Sequence, residues 1–354
     1  MKRWVALLGI LVVVLAGAAG AAGWVLYQRT QEPFRGYATA EQFVDVAGGQ
    51  GSMAIGRRLV ETGVVRDELT FRVALWMSGR ARELKAGEYR FDRPLTATEV
   101  IDRLAKGDVY ERLLTFAEGL TMAEMAKVFE ERGFGSAAEF AKAASDASLI
   151  RDLDPAAPDL EGYLFPETYA LPRNPPAADV VKQMVSLFKQ SFDAGLRAEA
   201  SAAGLSVRQV VTLASLVEEE TAQPAERPLV AAVYRNRLAR GMLMQADPTV
   251  IYALQKAGRY DGNIRRADLQ FDSPYNTYRY AGLPPGPIAS PGRAALQAAV
   301  RPADVQHLYF VSRNDGTHAF ADTLSEHNRN VATWQVSFFR RNGNRGPTSS
   351  KPRL

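Results

Sequence analysis

Ser206-Val-Arg-Gln-Val-Val-Thr-Leu-Ala-Ser-Leu-Val-Glu-Glu-Glu-Thr221 ends an apolar segment on three successive carboxylates. Ser206 and Gln209 have the spacing of a capping box, so the segment opens as a helix with Ser206 as its N-cap. Val210, Leu213, Ala214 and Val217 then recur at the period of a buried helical face. A helix turns roughly 100° per residue, which sets Glu220 on the face of Leu213 and Val217. Glu219 falls on the opposite, solvated side, and Glu218 near the edge of the apolar stripe. Only one of the three carboxylates is therefore expected to point inward. A carboxyl among apolar neighbours is disfavoured as an anion, so it retains a proton towards neutral pH, as a general acid requires. The ordinary reading of an acidic run is a solvated face. Negative charge near a helix C-terminus also opposes the macrodipole. Either the helix continues, or the site keeps the charge for a function.

The blocks around this helix narrow the choice. They are Ala214-Ser-Leu-Val-Glu-Glu-Glu-Thr221, Tyr234-Arg-Asn-Arg-Leu238, Met244-Gln-Ala-Asp-Pro-Thr-Val-Ile-Tyr252, Tyr275-Asn-Thr-Tyr278, Gly282-Leu-Pro-Pro-Gly-Pro-Ile-Ala289, Leu308-Tyr-Phe-Val311 and the stretch from His318 to Asn328. Upstream stand Leu84-Lys-Ala-Gly-Glu-Tyr-Arg-Phe91 and Glu161-Gly-Tyr-Leu-Phe-Pro166. In this order the series resembles the endolytic murein transglycosylase (YceG-like) family. The resemblance implies that Glu220, the last glutamate of E-x-E-T, is the catalytic acid and base. It also implies that Gln245, Tyr275 and Asn276 contact the sugar, and that the N-terminal part of the exterior chain is a LysM-like unit. The same unit read without the resemblance is a small packing domain.

With 354 residues, two or three domains are expected, and 47% apolar with 23% charged residues is a globular composition. The net charge of +4 is spread along the chain with no basic stripe interleaved with aromatics, which argues against nucleic acid as a partner. The chain has no cysteine, so disulfides and thiol-ligated metals are excluded. Trp4 to Tyr27 carries no charge and, at about 1.5 Å per residue, reaches roughly 36 Å, enough for a hydrocarbon core of about 30 Å. Lys2 and Arg3 before it place the N-terminus in the cytoplasm. Small-residue sites such as Ala19-Gly-Ala21 fit a cleaved signal peptide, whereas Trp24 to Tyr27 continue the apolar run and fit a retained anchor.

The fold class expected is α+β, divided as follows: cytoplasmic N-terminus and transmembrane helix, 1–30; connector, 31–43; LysM-like α+β subdomain, 44–110; mixed α/β catalytic domain, 111–340; disordered tail, 341–354. Helices are predicted at 52–62, 68–77 and 96–106, with a strand at 85–91. A second strand and cap follow at 113–116 and Thr121-x-x-Glu124. Further helices are predicted at 177–200, at 206–221, from Pro224 as N1 to Arg240, from Asp247 as N-cap to Gly258, and at 324–340. His307 to Ser312 and Thr317 to Asp322 read as a hairpin around Asn314-Asp-Gly316. The proline-rich stretch 272–291 reads as a long ordered loop. The aromatics of 161–169 either stack on sugars or fill the core.

Asp247 reads as a helix cap with a second-carboxylate role as its alternative. His318 and His327 lack a metal-ligand pattern, and neither a phosphate loop nor an acyl-transfer elbow is present, so no cofactor and no metal are expected. Together these readings describe an outward-facing, single-pass protein of the bacterial cytoplasmic membrane. The resemblance implies that it cleaves the β-1,4 bond from N-acetylmuramic acid to N-acetylglucosamine in nascent strands, leaving 1,6-anhydro ends. Its partners would then be glycan strands, the membrane and peptidoglycan synthases. Two other readings stay open: a non-catalytic wall anchor, and a hydrolase with Asp247 or Glu218 as second carboxylate.

Overall fold

Short polar residues set the helix starts of this chain. Thr96, Thr121, Ser136, Ser206 and Thr323 each accept a bond from the backbone three residues on, where Glu99, Glu124, Glu139, Gln209 and Glu326 return one to the cap. Each such box satisfies two otherwise unpaired N–H groups of a first turn. The computed structural model describes residues 2–337 and 340; the expected tail at 341–354 lies outside them. The chain divides into two units. One runs to Leu113 and includes Ala170–Arg173; the other comprises Leu114–Tyr169 and the chain from Asn174 onward.

The first unit begins with α1 (Lys2–Gln31), which contains an apolar run, Leu7–Gln31, long enough to cross a membrane once. It continues with β1 (Gln42–Val46), α2 (Ser52–Glu61), α3 (Glu68–Ser78), β2 (Gly87–Phe91) and α4 (Ala97–Lys106). β1 and β2 pair antiparallel with Val44 opposite Tyr89. Alternation along each strand sends Val44, Val46, Tyr89 and Phe91 to one face. There they pack with Ile55 and Leu59 of α2, Phe71 and Leu75 of α3, and Val100, Ile101 and Leu104 of α4. β1 is absent from the sequence reading because Gln-Phe-Val-Asp-Val is a brief alternation beside a polar connector.

β3 (Arg112–Thr115) and its partner β4 (Thr168–Leu171) are shared between the units at the boundary, and the second unit continues from β3 with α5 (Met122–Glu131) and α6 (Ala137–Ala144). Then come α7 (Ala177–Ser191), α8 (Ala194–Ala202), α9 (Val207–Glu220), α10 (Arg227–Ala239), α11 (Asp247–Lys256), α12 (Arg293–Val300), the hairpin of β5 (Tyr309–Ser312) and β6 (His318–Ala321), and α13 (Leu324–Val331). α9 is the axis of this unit. Its residues from Val210 to Glu218 are all buried, and α8, α10, α11 and α12 pack against it. A helix buried all round sits at the centre of a domain.

Several boundaries differ from the sequence reading. The helix expected over 177–200 breaks at Phe192, because Asp193 caps a new helix through the N–H of Leu196. α10 begins at Arg227, not Pro224. The intervening residues instead form a turn in which Thr221 Oγ1 bonds the N–H of Gln223 and the carboxylate of Glu226. α11 is preceded by Ala246 as N-cap, so Asp247 is its first residue and makes no cap bond. The last helix passes into a π turn over Ala332–Val336. Tyr163, Phe165 and Tyr169 are each at most 7% exposed, which assigns the aromatics of 161–169 to the core. Gly162, just before them, has φ +79°, and a Cβ there would come within 2.4 Å of Pro287 and 3.0 Å of Val211. Only glycine allows that approach.

Candidate active site

Glu220 ends α9 and, as its helical phase predicts, turns its carboxyl among buried groups. Its Oε1 accepts a 2.6 Å bond from the hydroxyl of Tyr234, two turns into α10. Glu220 and Tyr234 line a cavity of about 160 Å³ together with Arg237, Met244, Gln245, Asp247, Tyr278 and Phe310. Burial pushes the Glu220 pKa up to about 7. The Tyr234 bond opposes that rise, while the charges of Asp247 and Glu219 add to it. A group half-protonated near neutrality can give a proton and take one back.

Its two neighbours are not as expected. Glu218 is 3% exposed, so two of the three carboxylates face inward. It is held by the guanidinium of Arg227 at 2.9 Å and by the N–H of Gly292 at 3.1 Å. An anion this buried persists because it is paired and hydrogen-bonded. Glu218 thus pins α10 and the start of α12 to α9. Glu219 is half-buried rather than fully solvated. Beyond Glu220, Thr221 bonds Glu226, whose carboxylate also accepts from the N–H of His318 at 2.8 Å and meets its Nδ1 at 2.7 Å. The His318 ring lies edge-on to Phe310, a wall of the cavity. His318 therefore ties the hairpin to the end of α9.

Asp247 is drawn into the site and not into a cap. Its Oδ1 accepts a 2.6 Å bond from Tyr278, so two carboxylate–tyrosine pairs face one cavity. Gln245 lines the same cavity with φ +53°, an unusual conformation for a residue with a side chain. Its N–H bonds the carbonyl of Thr277, and Ala246 N–H bonds Thr277 Oγ1. The long loop thereby grips the turn that carries Gln245 and Asp247. Arg237 is committed to that scaffold as well, donating to the carbonyls of Met244 and Leu308, each at 2.7 Å.

Tyr275 and Asn276 are not among the residues lining this cavity. Asn276 is fully buried, and its amide donates to the carbonyls of Leu269 and Phe271 while its oxygen accepts from Tyr278 N–H. Its hydrogen-bonding capacity goes into shaping the loop that presents Tyr278. Tyr275 packs on Tyr252, with Lys256 Nζ 5.6 Å from its ring centre. Tyr252 in turn donates to Glu161, a second carboxyl whose burial lifts its pKa to about 7. Glu161 also accepts from Met122 N–H at the start of α5 and belongs to that packing.

The sequence reading misses Tyr234, Arg237, Tyr278 and Phe310 as cavity residues. Tyr234 and Arg237 stand three apart on the helix after the acidic run, and Tyr278 stands three after Tyr275. Those spacings are visible, but which loop folds over which helix is not. A larger hollow of about 510 Å³ lies in the first unit, around α4. Arg93, Arg103 and Lys106 there face Glu99, Asp102 and Asp108, so its charges compensate and it offers no lone acid.

Known proteins resemble this chain over most of its length. A family model described as the YceG-like family matches residues 44–333. The chain is 33% identical over 304 residues to a protein of Bacillus subtilis (strain 168) named endolytic murein transglycosylase, covering 81% of this chain and 82% of that one. A protein of the same name from Streptococcus pneumoniae (strain ATCC BAA-255 / R6) is 29% identical over 330 residues. That match covers 83% of this chain and 59% of the longer relative. Among solved structures, a yceG-like protein from Listeria monocytogenes aligns with a TM-score of 0.56 at 29% identity, over 82% of this chain and 98% of that one.

Proposed function

The chain belongs to the YceG-like family, and from that premise we propose that it is an endolytic peptidoglycan lytic transglycosylase with Glu220 as its acid and base. The observation that carries this reading is the Glu220 carboxyl, enclosed, bonded to Tyr234 and poised at a pKa of about 7 at the edge of a cavity. The substrate is the β-1,4 bond from N-acetylmuramic acid to N-acetylglucosamine. Protonated Glu220 gives its proton to the glycosidic oxygen, and that bond breaks as positive charge develops at C1 of the muramic acid. The C6 hydroxyl of the same sugar then attacks C1 and returns its proton to Glu220. The products are a 1,6-anhydro end and a free glucosamine end, with no water consumed. The Asp247 carboxylate supplies negative charge across the cavity from the acid, where it both keeps Glu220 protonated and favours a cationic sugar.

In this reading α1 is the membrane anchor, with the N-terminus in the cytoplasm and both units on the outer face of the cytoplasmic membrane. Residues 44–110 form a LysM-like unit that holds glycan, and cleavage ends nascent strands made by neighbouring synthases. Gln245 contacts the bound sugar directly. Tyr275 and Asn276 contribute by shaping the loop that carries Tyr278.

Digestion of purified glycan in heavy-oxygen water tests the reaction. New muramic acid ends without label and one water lighter than hydrolysed ends are expected. Labelled ends would favour hydrolysis, for which the place of Asp247 in the cavity makes it the first candidate base. No cleavage would leave a wall-binding anchor.

A further inference from the structure

The exposed side of α3 has no obvious reason to face water. Thr70, Phe71, Ala74 and Leu75 turn into the core of the first unit. The other side shows Leu69 at 50% exposure, Arg72 exposed, and Trp76 at 82% with Met77 beside it at 43%. Leu69, Arg72 and Trp76 lie three and seven residues apart, so they form one stripe. A tryptophan this exposed within an apolar stripe marks a binding surface.

The position of α3 identifies what that surface meets. From Leu7 to Val25 the side chains of α1 are exposed; Leu26 is half-buried and Thr30 fully buried. α3 and α4 pack against α1, and the burial pattern confines that contact to its last turns. Gln31 bonds Thr98 of α4 at 3.2 Å, and Glu32 pairs at 3.0 Å with Arg66, next to the Asp67 cap of α3. A hydrocarbon core takes about 20 helical residues. Counted from Leu7, it ends near Trp24 and Tyr27, whose rings lie 5.8 Å apart. Paired aromatics at that depth fit the boundary between acyl chains and headgroups. The last turns of α1, and the helix packed on them, then fall in the headgroup layer.

We infer that the Leu69–Trp76 face of α3 lies in the interfacial layer of the membrane that α1 spans. The inference rests on α1 being that span. Leu69, Trp76 and Met77 enter the upper acyl region, where an indole keeps its N–H towards water. Arg72 lays its stem along the same surface with the charge at the phosphates. The first unit is then held at the bilayer by two contacts, a span and an amphipathic helix, which fixes its orientation on the lipid surface.

Tryptophan quenching in the full-length protein, reconstituted in phosphatidylcholine vesicles, tests this. One variant keeps only Trp76 (Trp4→Phe, Trp24→Phe, Trp334→Phe) and a control keeps only Trp24 (Trp4→Phe, Trp76→Phe, Trp334→Phe). Both should be quenched by lipids brominated high on the acyl chain, and Trp76 should resist iodide. If Trp24 is quenched by these lipids while Trp76 answers only to iodide, the inference fails and the span stands. Trp76 shielded from both quenchers means a protein partner covers it, which also overturns the inference. An unquenched Trp24 overturns the span itself and the inference with it.

Discussion

The hydroxyl of Tyr234 stands 2.6 Å from Oε1 of Glu220 and joins α10 to the last residue of α9. Two opposed effects meet at this bond. Burial favours the neutral acid, and a donated hydrogen bond favours the anion. Their balance leaves the carboxyl near pH 7 instead of locking it in either state. One residue that must act first as acid and then as base needs that balance.

Replacing Tyr234 with Phe removes the donor and leaves the ring. The Glu220 pKa should then rise, so the alkaline limb of kcat/KM against pH moves to higher pH. The rate at the optimum should fall, because the anion loses a charge-assisted bond of about 1.5–3 kcal/mol. A limb that stays in place would mean that Tyr234 only packs.

Asp247→Asn should shift the same limb the other way. The Asp247 charge helps keep Glu220 protonated, so its removal lowers the Glu220 pKa and shortens the acid-competent range from above. The two shifts of opposite sign, read from pH–rate profiles of the two variants, separate this pair of effects from general damage to the cavity.

The central helix and the inward turn of the Glu220 carboxyl are legible in the sequence, but the walls of the cavity are not. The phase of Val210, Leu213 and Val217 sends Glu220 inward because local helix geometry is all it needs. The capping boxes at Thr96, Thr121 and Ser206 are legible for the same reason. Asp247 is different. Next to Pro248 it looks like a cap, and only the Tyr278 hydroxyl from a loop 31 residues on draws it into the cavity. Glu218 is misread likewise, since the edge of an apolar stripe becomes interior once Arg227 and Gly292 close over it. Asn276 has an amide suited to a sugar, yet the loop consumes it. The Asp247 and Glu218 placements turn on Tyr278 and Gly292, far along the chain, and that of Asn276 on the closure of its own loop; periodicity encodes none of these.

Glu218→Ala should reduce stability far more than it alters chemistry. It removes one partner of a buried ion pair, a change that typically costs about 3–5 kcal/mol. Glu218→Gln should cost less, because the amide keeps the volume of the side chain and an oxygen that can still accept from Arg227. Denaturant unfolding of both variants checks the order. Equal losses would mean that the charge on Glu218, which both variants remove, carries the stabilisation and that the retained amide adds nothing.

Glu220→Gln should abolish turnover while making the fold more stable at neutral pH. A positioned acid–base group contributes typically ~10²- to 10⁴-fold, and the amide neither gives nor takes the proton. Glu219→Gln should keep near-parent activity, since its carboxyl is not among the residues lining the cavity. For stability, the sign follows from the pKa. Folding raises the Glu220 pKa from 4.5 to about 7, so the folded state holds that proton more tightly than the unfolded chain. That contribution is fully present below pH 4.5 and is lost as pH rises to about 7. The Gln variant has no such loss, so its stability relative to the parent should climb between pH 4.5 and 7 and then level off. The rise should be on the order of 3–4 kcal/mol at most. Glu161 titrates in the same range in both proteins and cancels from the difference. Parallel stability curves for parent and variant across that window would show that Glu220 is not held as the neutral acid, and the proposed first proton transfer would lose its donor.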